Sequence, residues 1–234
     1  MIRLFLCFII VVGLTSFSAT GQDLNIEAQF GAGVCFASKK NTKSSFSPIV
    51  SPNAAVLLYK AINSKLSLKS GFIYQLKSIK TTNQIIFDSS YTQLMVDGTT
   101  QHHYLSIPIQ VVYSFKKQEK ITWRIAAGFN YGFLLYARSK GMMNSYYNTQ
   151  LLDKQDYNYE NYVGLTPSRA RNRSSDRSEL FGFTPAVRLD VDHYFHKRFF
   201  LRAFYEYNLN DVSSNPGSSK VFLHYSGIAV GCSF

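Results

Sequence analysis

His103-Tyr104-Leu105-Ser106-Ile107-Pro108-Ile109-Gln110-Val111-Val112-Tyr113-Ser114-Phe115 is the stretch whose reading decides the fold. Leu105, Ile107, Ile109, Val111, Tyr113 and Phe115 share one parity. Tyr104, Ser106, Pro108, Gln110, Val112 and Ser114 share the other. Period-two alternation predicts a strand with one apolar and one mixed face. The fold then turns on one question. A soluble barrel points its apolar face inward, and a membrane barrel points it at lipid.

The same alternation recurs along the chain. Eight strands are predicted, at about 24–37, 50–61, 66–79, 103–115, 121–137, 181–195, 199–209 and 221–234. Between them, Ile62–Lys65, Lys116–Lys120 and His196–Arg198 are tight hairpin turns. The intervening connections 38–49, 80–102, 138–180 and 210–220 are long. Short turns on one rim and long loops on the other are the build of an outer-membrane barrel, with the short turns periplasmic.

Volume and charge orient the faces. Ile121, Trp123, Ile125, Phe129, Tyr131 and Phe133 are too bulky to fill the narrow interior of an eight-stranded barrel together with their counterparts on the other strands. The opposite parity carries Gly, Ala and Ser together with Glu27, Lys69, Lys77, Arg124, Arg188, Asp190, Asp192, Arg202 and Glu206. Its signs nearly balance, which predicts a buried network of paired charges rather than a cationic channel. The fold expected is therefore all-β: an eight-stranded antiparallel up-and-down transmembrane β-barrel. Glu27, Arg124, Arg188, Asp190, Asp192, Arg202 and Glu206 form its candidate lumen network.

Targeting agrees. In residues 1–21, Arg3 precedes the apolar run Leu4–Leu14 and the small-residue site Ala19-Thr20-Gly21. This is read as a secretory signal peptide cut before Gln22, leaving 22–234 as the barrel domain. Charged residues make up 17% and aromatics 15%, a Tyr- and Phe-rich β composition. The net charge of +11 does not imply nucleic acid in an exported chain. Lys39, Lys40 and Lys43, with Arg169, Arg171, Arg173 and Arg177 in the third long loop, instead suggest a basic rim for lipopolysaccharide phosphates. Export leaves Cys35 and Cys232, expected near opposite rims and therefore unbridged.

The last strand alternates and ends in Phe234, which resembles the signal read by the barrel-assembly machinery. Tyr104-Leu105-Ser106-Ile107-Pro108-Ile109 resembles the YLxIP strand of the PorT-type outer-membrane β-barrel family of Gram-negative bacteria. The hairpin rhythm carries the likeness over the mature chain, and only the hexapeptide and the last strand are motif-like. The resemblance implies residence in the outer membrane and brings no catalytic positions to carry over.

Chemistry is sparse. His102 and His103 are adjacent, so on a strand they point apart, and no metal site is read from them. Asp190 and Asp192 share a face, but pairing with arginine outweighs a catalytic role. No serine sits in a recognisable nucleophile motif, and His193 and His224 read as rim residues facing lipid. No catalytic residue, cofactor or metal is assigned. The leading expectation is a non-enzymatic structural or interaction protein acting through its loops. Its partners would be outer-membrane lipid, lipopolysaccharide, another envelope protein or a host surface. The alternatives are a narrow porin-like pore, a soluble lipocalin-like binder of an apolar ligand, and an outer-membrane hydrolase. Pro108 and Pro185 each predict a bulge or a missing ladder bond.

Overall fold

The computed structural model describes residues 24–39, 45–88, 92–117, 120–148, 150–162, 183–210 and 221–234. It contains nine strands: β1 (Leu24–Lys39), β2 (Ser45–Ala61), β3 (Leu66–Asp88), β4 (Thr92–Lys117), β5 (Lys120–Tyr147), β6 (Gln150–Tyr162), β7 (Phe183–Tyr194), β8 (Phe199–Asn208) and β9 (Val221–Ser233). Every pairing is antiparallel. The order β4-β3-β2-β1-β9-β8-β7-β5 is closed by pairing of β4 with β5, a ring of eight strands. Closure leaves no exposed edge in the ring.

The ninth strand corrects the sequence reading. Connections 80–102 and 138–180 were expected as loops. Instead β3 runs on to Asp88 and β4 begins at Thr92, while β5 continues to Tyr147 and turns back as β6. β7 pairs with β5 over Trp123–Phe133, and β6 takes its place over Tyr136–Tyr147. A four-stranded crown of β3, β4, β5 and β6 thus rises from one side of the ring. Its hairpin turns at Asn148, whose φ of 47° is left-handed. Asn tolerates that region in tight hairpin turns. The crown escaped the sequence reading because its strands carry no lipid-facing run and so lack strong alternation.

Inside the ring the alternation holds. β8 shows it well: Phe200, Arg202, Phe204, Glu206 and Asn208 are buried, whereas Phe199, Leu201, Ala203 and Tyr205 are exposed. In the opening stretch, Ile109, Val111, Tyr113 and Phe115 are exposed, with Leu105 and Ile107 half-buried on the same face. Tyr104, Ser106, Pro108, Gln110, Val112 and Ser114 are buried. The apolar faces therefore point outward, which removes the geometry a lipocalin-like binder requires.

The prolines behave differently from one another. Pairing of β3 with β4 stops after Lys69↔Gln110 and resumes in the same register at Ile73↔Ser106. That register sets Pro108, which has no N–H, across from Gly71 with its φ of 131°. Pro185 keeps its place opposite Tyr131, and its carbonyl accepts the Leu209 N–H at 2.8 Å. Register shifts lie elsewhere, among them one extra residue on β2 between Ile49 and Asn53 and one on β5, Leu135, opposite the step from His103 to Tyr104. Such bulges bend and twist a strand locally.

Cys35 is opposite Tyr225, and Cys232 is opposite Ala28. Seven positions of β1 separate the two levels, about 23 Å at ~3.3 Å per residue, far beyond disulfide reach. Both thiols are free, Cys35 buried and Cys232 half-buried. In the folded protein a maleimide is expected to label Cys232 at least tenfold faster than Cys35. Equal rates would mean that the interior is open to solvent.

Candidate functional site

The site begins with strand parity. β1, β3, β5, β7 and β8 each send charged side chains inward, where water is excluded. Nine are buried: Lys69, Lys77, Arg124, Arg188 and Arg202 with Glu27, Asp190, Asp192 and Glu206. An ion in such a place must find an opposite charge and hydrogen bonds. Each of them does.

Arg202 on β8 is the hub of the layer near the short turns. Its Nε donates to Asp192 Oδ1 at 2.6 Å, and its NH2 donates to Asp192 Oδ2 at 2.7 Å. This is the planar fork-to-carboxylate geometry that only arginine offers. The same guanidinium reaches Gln29 Oε1 at 2.5 Å, Glu27 Oε2 at 3.2 Å and the Tyr59 hydroxyl at 2.8 Å. It therefore joins β8 to β7, β1 and β2. Arg124 on β5 adds an ion pair to Glu27 and another to Asp192 at 3.2 Å. Its guanidinium lies between the Tyr59 and Tyr194 rings, at 4.5 Å and 4.6 Å from their centroids. The Tyr194 hydroxyl donates to Glu27 at 2.8 Å.

Glu206 is the hub of the layer nearer the crown. Its carboxylate accepts from Lys77 at 2.6 Å, Asn130 at 2.6 Å, Gln75 at 3.0 Å and Arg188 at 3.2 Å. Between the hubs, Asp190 pairs with Lys69 across the interior and with Arg188 Nε at 2.8 Å. Asp190 and Asp192, candidates for paired-carboxylate chemistry, are thus each held by cations rather than by each other.

Aromatic rings fill the space between the charges. Phe200 and Phe204 lie under Arg202 and Arg188, at 4.9 Å and 4.6 Å to their ring centroids. Glycine makes room for them: a Cβ on Gly231 would sit 2.2 Å from the tip of the Phe200 ring.

All seven residues of the candidate network face the interior and join these layers. Sequence reasoning also placed Lys69 and Lys77 on that face. It overlooked Gln29, Tyr59, Gln75, Asn130 and Tyr194 as partners. Their inward parity was legible, but uncharged groups gave no reason to single them out. His102 is buried and His103 half-buried, as adjacent strand positions require, and His103 Nδ1 lies 2.6 Å from the Tyr74 hydroxyl. The His193 ring packs at a tilt against Trp123, centroids 4.4 Å apart, and His224 Nδ1 lies 2.7 Å from the Tyr205 hydroxyl, both on the outer face. Arg169, Arg171, Arg173, Arg177, Lys40 and Lys43 lie outside the described residues, as does the signal segment. Among the described residues no cluster of three metal-ligating side chains occurs.

A closed antiparallel ring with apolar side chains outside and paired charges inside defines a class, the β-barrels that use lipid as their outer solvent. The chain belongs to the outer membrane protein beta-barrel domain family, whose model matches residues 17–214. It is an outer-membrane protein. No curated protein matches the sequence.

Solved structures similar to it include Ail of Yersinia pestis, in complex with the heparin analogue sucrose octasulfate. The two are 10% identical, with a TM-score of 0.45 over 91% of this chain and 100% of that one. Neisserial surface protein A is 14% identical, with a TM-score of 0.44 over 89% and 97%. OprG from Pseudomonas aeruginosa is 11% identical, with a TM-score of 0.41 over 91% and 96%.

Proposed function

We propose that this protein is a non-enzymatic transmembrane barrel with a side-chain-filled lumen, and that its crown makes its functional contacts outside the cell. The observation that carries this reading is the pair of hubs. Arg202 and Glu206 each tie three other strands together across an interior in which Arg188, Arg202, Lys69 and Lys77 are at most 1% exposed. A lumen so crossed leaves no continuous path for a hydrated solute. The crown is the remaining distinctive surface. Tyr147, Leu151 and Leu152 stand exposed near its hairpin tip, at 47%, 54% and 65%. Exposed aromatic and aliphatic groups at such a tip suit contact with another envelope protein or with lipopolysaccharide. The Tyr104–Ile109 motif supports a place in the PorT-type branch of the family.

A narrow pore is the second reading, favoured by one observation. Gln29 Nε2, Gln110 Oε1, Asn130 Oδ1 and Asn208 Nδ2 are buried without a protein partner, and such atoms call for water. Planar-bilayer recording separates the two. Wild-type protein is expected to give no steady ion conductance in 1 M salt (a condition, ~1 M, that screens surface charge). Removing a hub with Glu206→Ala is expected to produce one. Steady wild-type conductance would sink the filled-lumen reading.

A further inference from the structure

The basic rim expected on the long-loop side is not where the positive charge is most one-sided. The long connections carry twelve cations, but eight anions accompany them. In the sequence, the three short-turn segments 60–65, 116–120 and 196–198 carry seven cations (Lys60 and Lys65; Lys116, Lys117 and Lys120; Lys197 and Arg198) and one anion, Glu119. Each of the three short turns contributes. From these observations we infer that the short-turn rim is a binding surface for anionic phospholipid headgroups of the inner leaflet, rests its cations on phosphate, and so anchors the barrel vertically.

Three features carry this. First, the backbone that carries Lys65 and Arg198 is fixed. The Lys65 carbonyl accepts Ser114 N–H, and the Arg198 carbonyl accepts Ser233 N–H, both at 2.8 Å from the neighbouring strand. Asn63 Oδ1 accepts the N–H groups of Lys65 and Leu66 at 2.9 Å and 2.8 Å, closing that turn from within. Second, Lys60, Lys65, Lys197 and Arg198 are all exposed. Third, an aromatic belt lies directly beside them on the outer face. Tyr113 packs edge-on to Phe115 at 4.8 Å, Phe195 stacks with Phe199 at 6.4 Å, and Trp123 meets His193. Amphipathic rings of this kind mark headgroup level, and long basic side chains beyond them reach phosphate. The inference rests on the membrane-barrel reading above.

Trp123 is the single tryptophan of the chain and sits in this belt, paired with His193 near the start of the β7–β8 hairpin turn that carries Lys197 and Arg198. It is a built-in reporter. Full-length protein would be reconstituted in vesicles of matched composition in both leaflets, so that insertion direction is immaterial. The bromine label would be placed either on phosphatidylglycerol or on phosphatidylcholine at equal mole fraction. Brominated phosphatidylglycerol is expected to associate about fivefold more strongly near Trp123 at low salt. That preference should fall towards unity in Lys197→Gln/Arg198→Gln and at high salt, with the heat-dependent gel shift of the folded barrel retained. Equal quenching by the two lipids would overturn the headgroup site while leaving the barrel in its membrane. Absence of quenching by either would overturn the lipid-facing reading itself, and this inference with it.

Discussion

Arg202→Ala is expected to destabilise the barrel by about 3–5 kcal/mol, the cost of removing one partner from a buried charged network. The size follows from what is left behind. Asp192 loses both bonds of a forked pair, and Glu27, Gln29 and Tyr59 each lose a donor, all in a water-excluded layer. Arg124 still touches Glu27 and Asp192, so the layer does not become wholly uncompensated. Arg202→Lys keeps the charge but cannot present a planar fork to Asp192 while also reaching Tyr59. Its loss should be intermediate. Urea unfolding in detergent micelles, followed by the Trp123 emission and the gel shift, gives both values. A loss below ~1 kcal/mol for Arg202→Ala would show that water replaces the guanidinium at little cost, which favours the hydrated-pore reading.

Gly231→Val should also be costly, for a steric reason. Gly231 faces Phe200 directly in the β8–β9 register and Gln29 in the β1–β9 register. Its missing side chain leaves the space that the Phe200 ring fills. Phe200 is fully buried, packed beside Tyr194 at 5.4 Å and beneath Arg202, so the ring has no open side to move into. Overpacking of this kind costs about 1–3 kcal/mol. Phe200→Ala alone leaves a cavity and is destabilising as well, by about 3–5 kcal/mol. Combining the two places the valine in that cavity. The double variant is therefore expected to be more stable than the sum of the single losses implies, by at least ~1 kcal/mol. Strict additivity would mean that the ring and the glycine do not share this space.

Much of the ring was legible in the sequence, and the reason is the exact two-residue period of a strand. That period assigned Leu105, Ile107 and Ile109 to one face and Arg188, Asp190 and Asp192 to the other, without knowledge of any neighbour. Bulk then set the direction, because Trp123, Phe129 and Tyr131 cannot share a narrow interior with their counterparts. The alternation of tight and long connections gave the up-and-down order. Where the period weakened, the reading failed. Tyr136–Tyr147 and Gln150–Tyr162 form two long paired strands above the ring, yet they have no lipid to satisfy, and their mixture of Tyr, Asn and charged residues resembles a loop.

The charged interior divides in the same way. Parity alone determined which side chains enter the lumen, since a side chain's face depends only on its own strand. Partners depend on register and closure, which are properties of the whole ring. Lys69 meets Asp190 across 121 residues of chain, Arg124 meets Glu27 across 97, and Arg202 meets Gln29 across 173. No local rule connects such positions. The sequence by itself determined an outward apolar face and an inward, nearly neutral set of charges. Only the tertiary structure decided that Arg202 and Glu206 stand at the crossing points, because closing the ring brings strands distant in the chain to the same level.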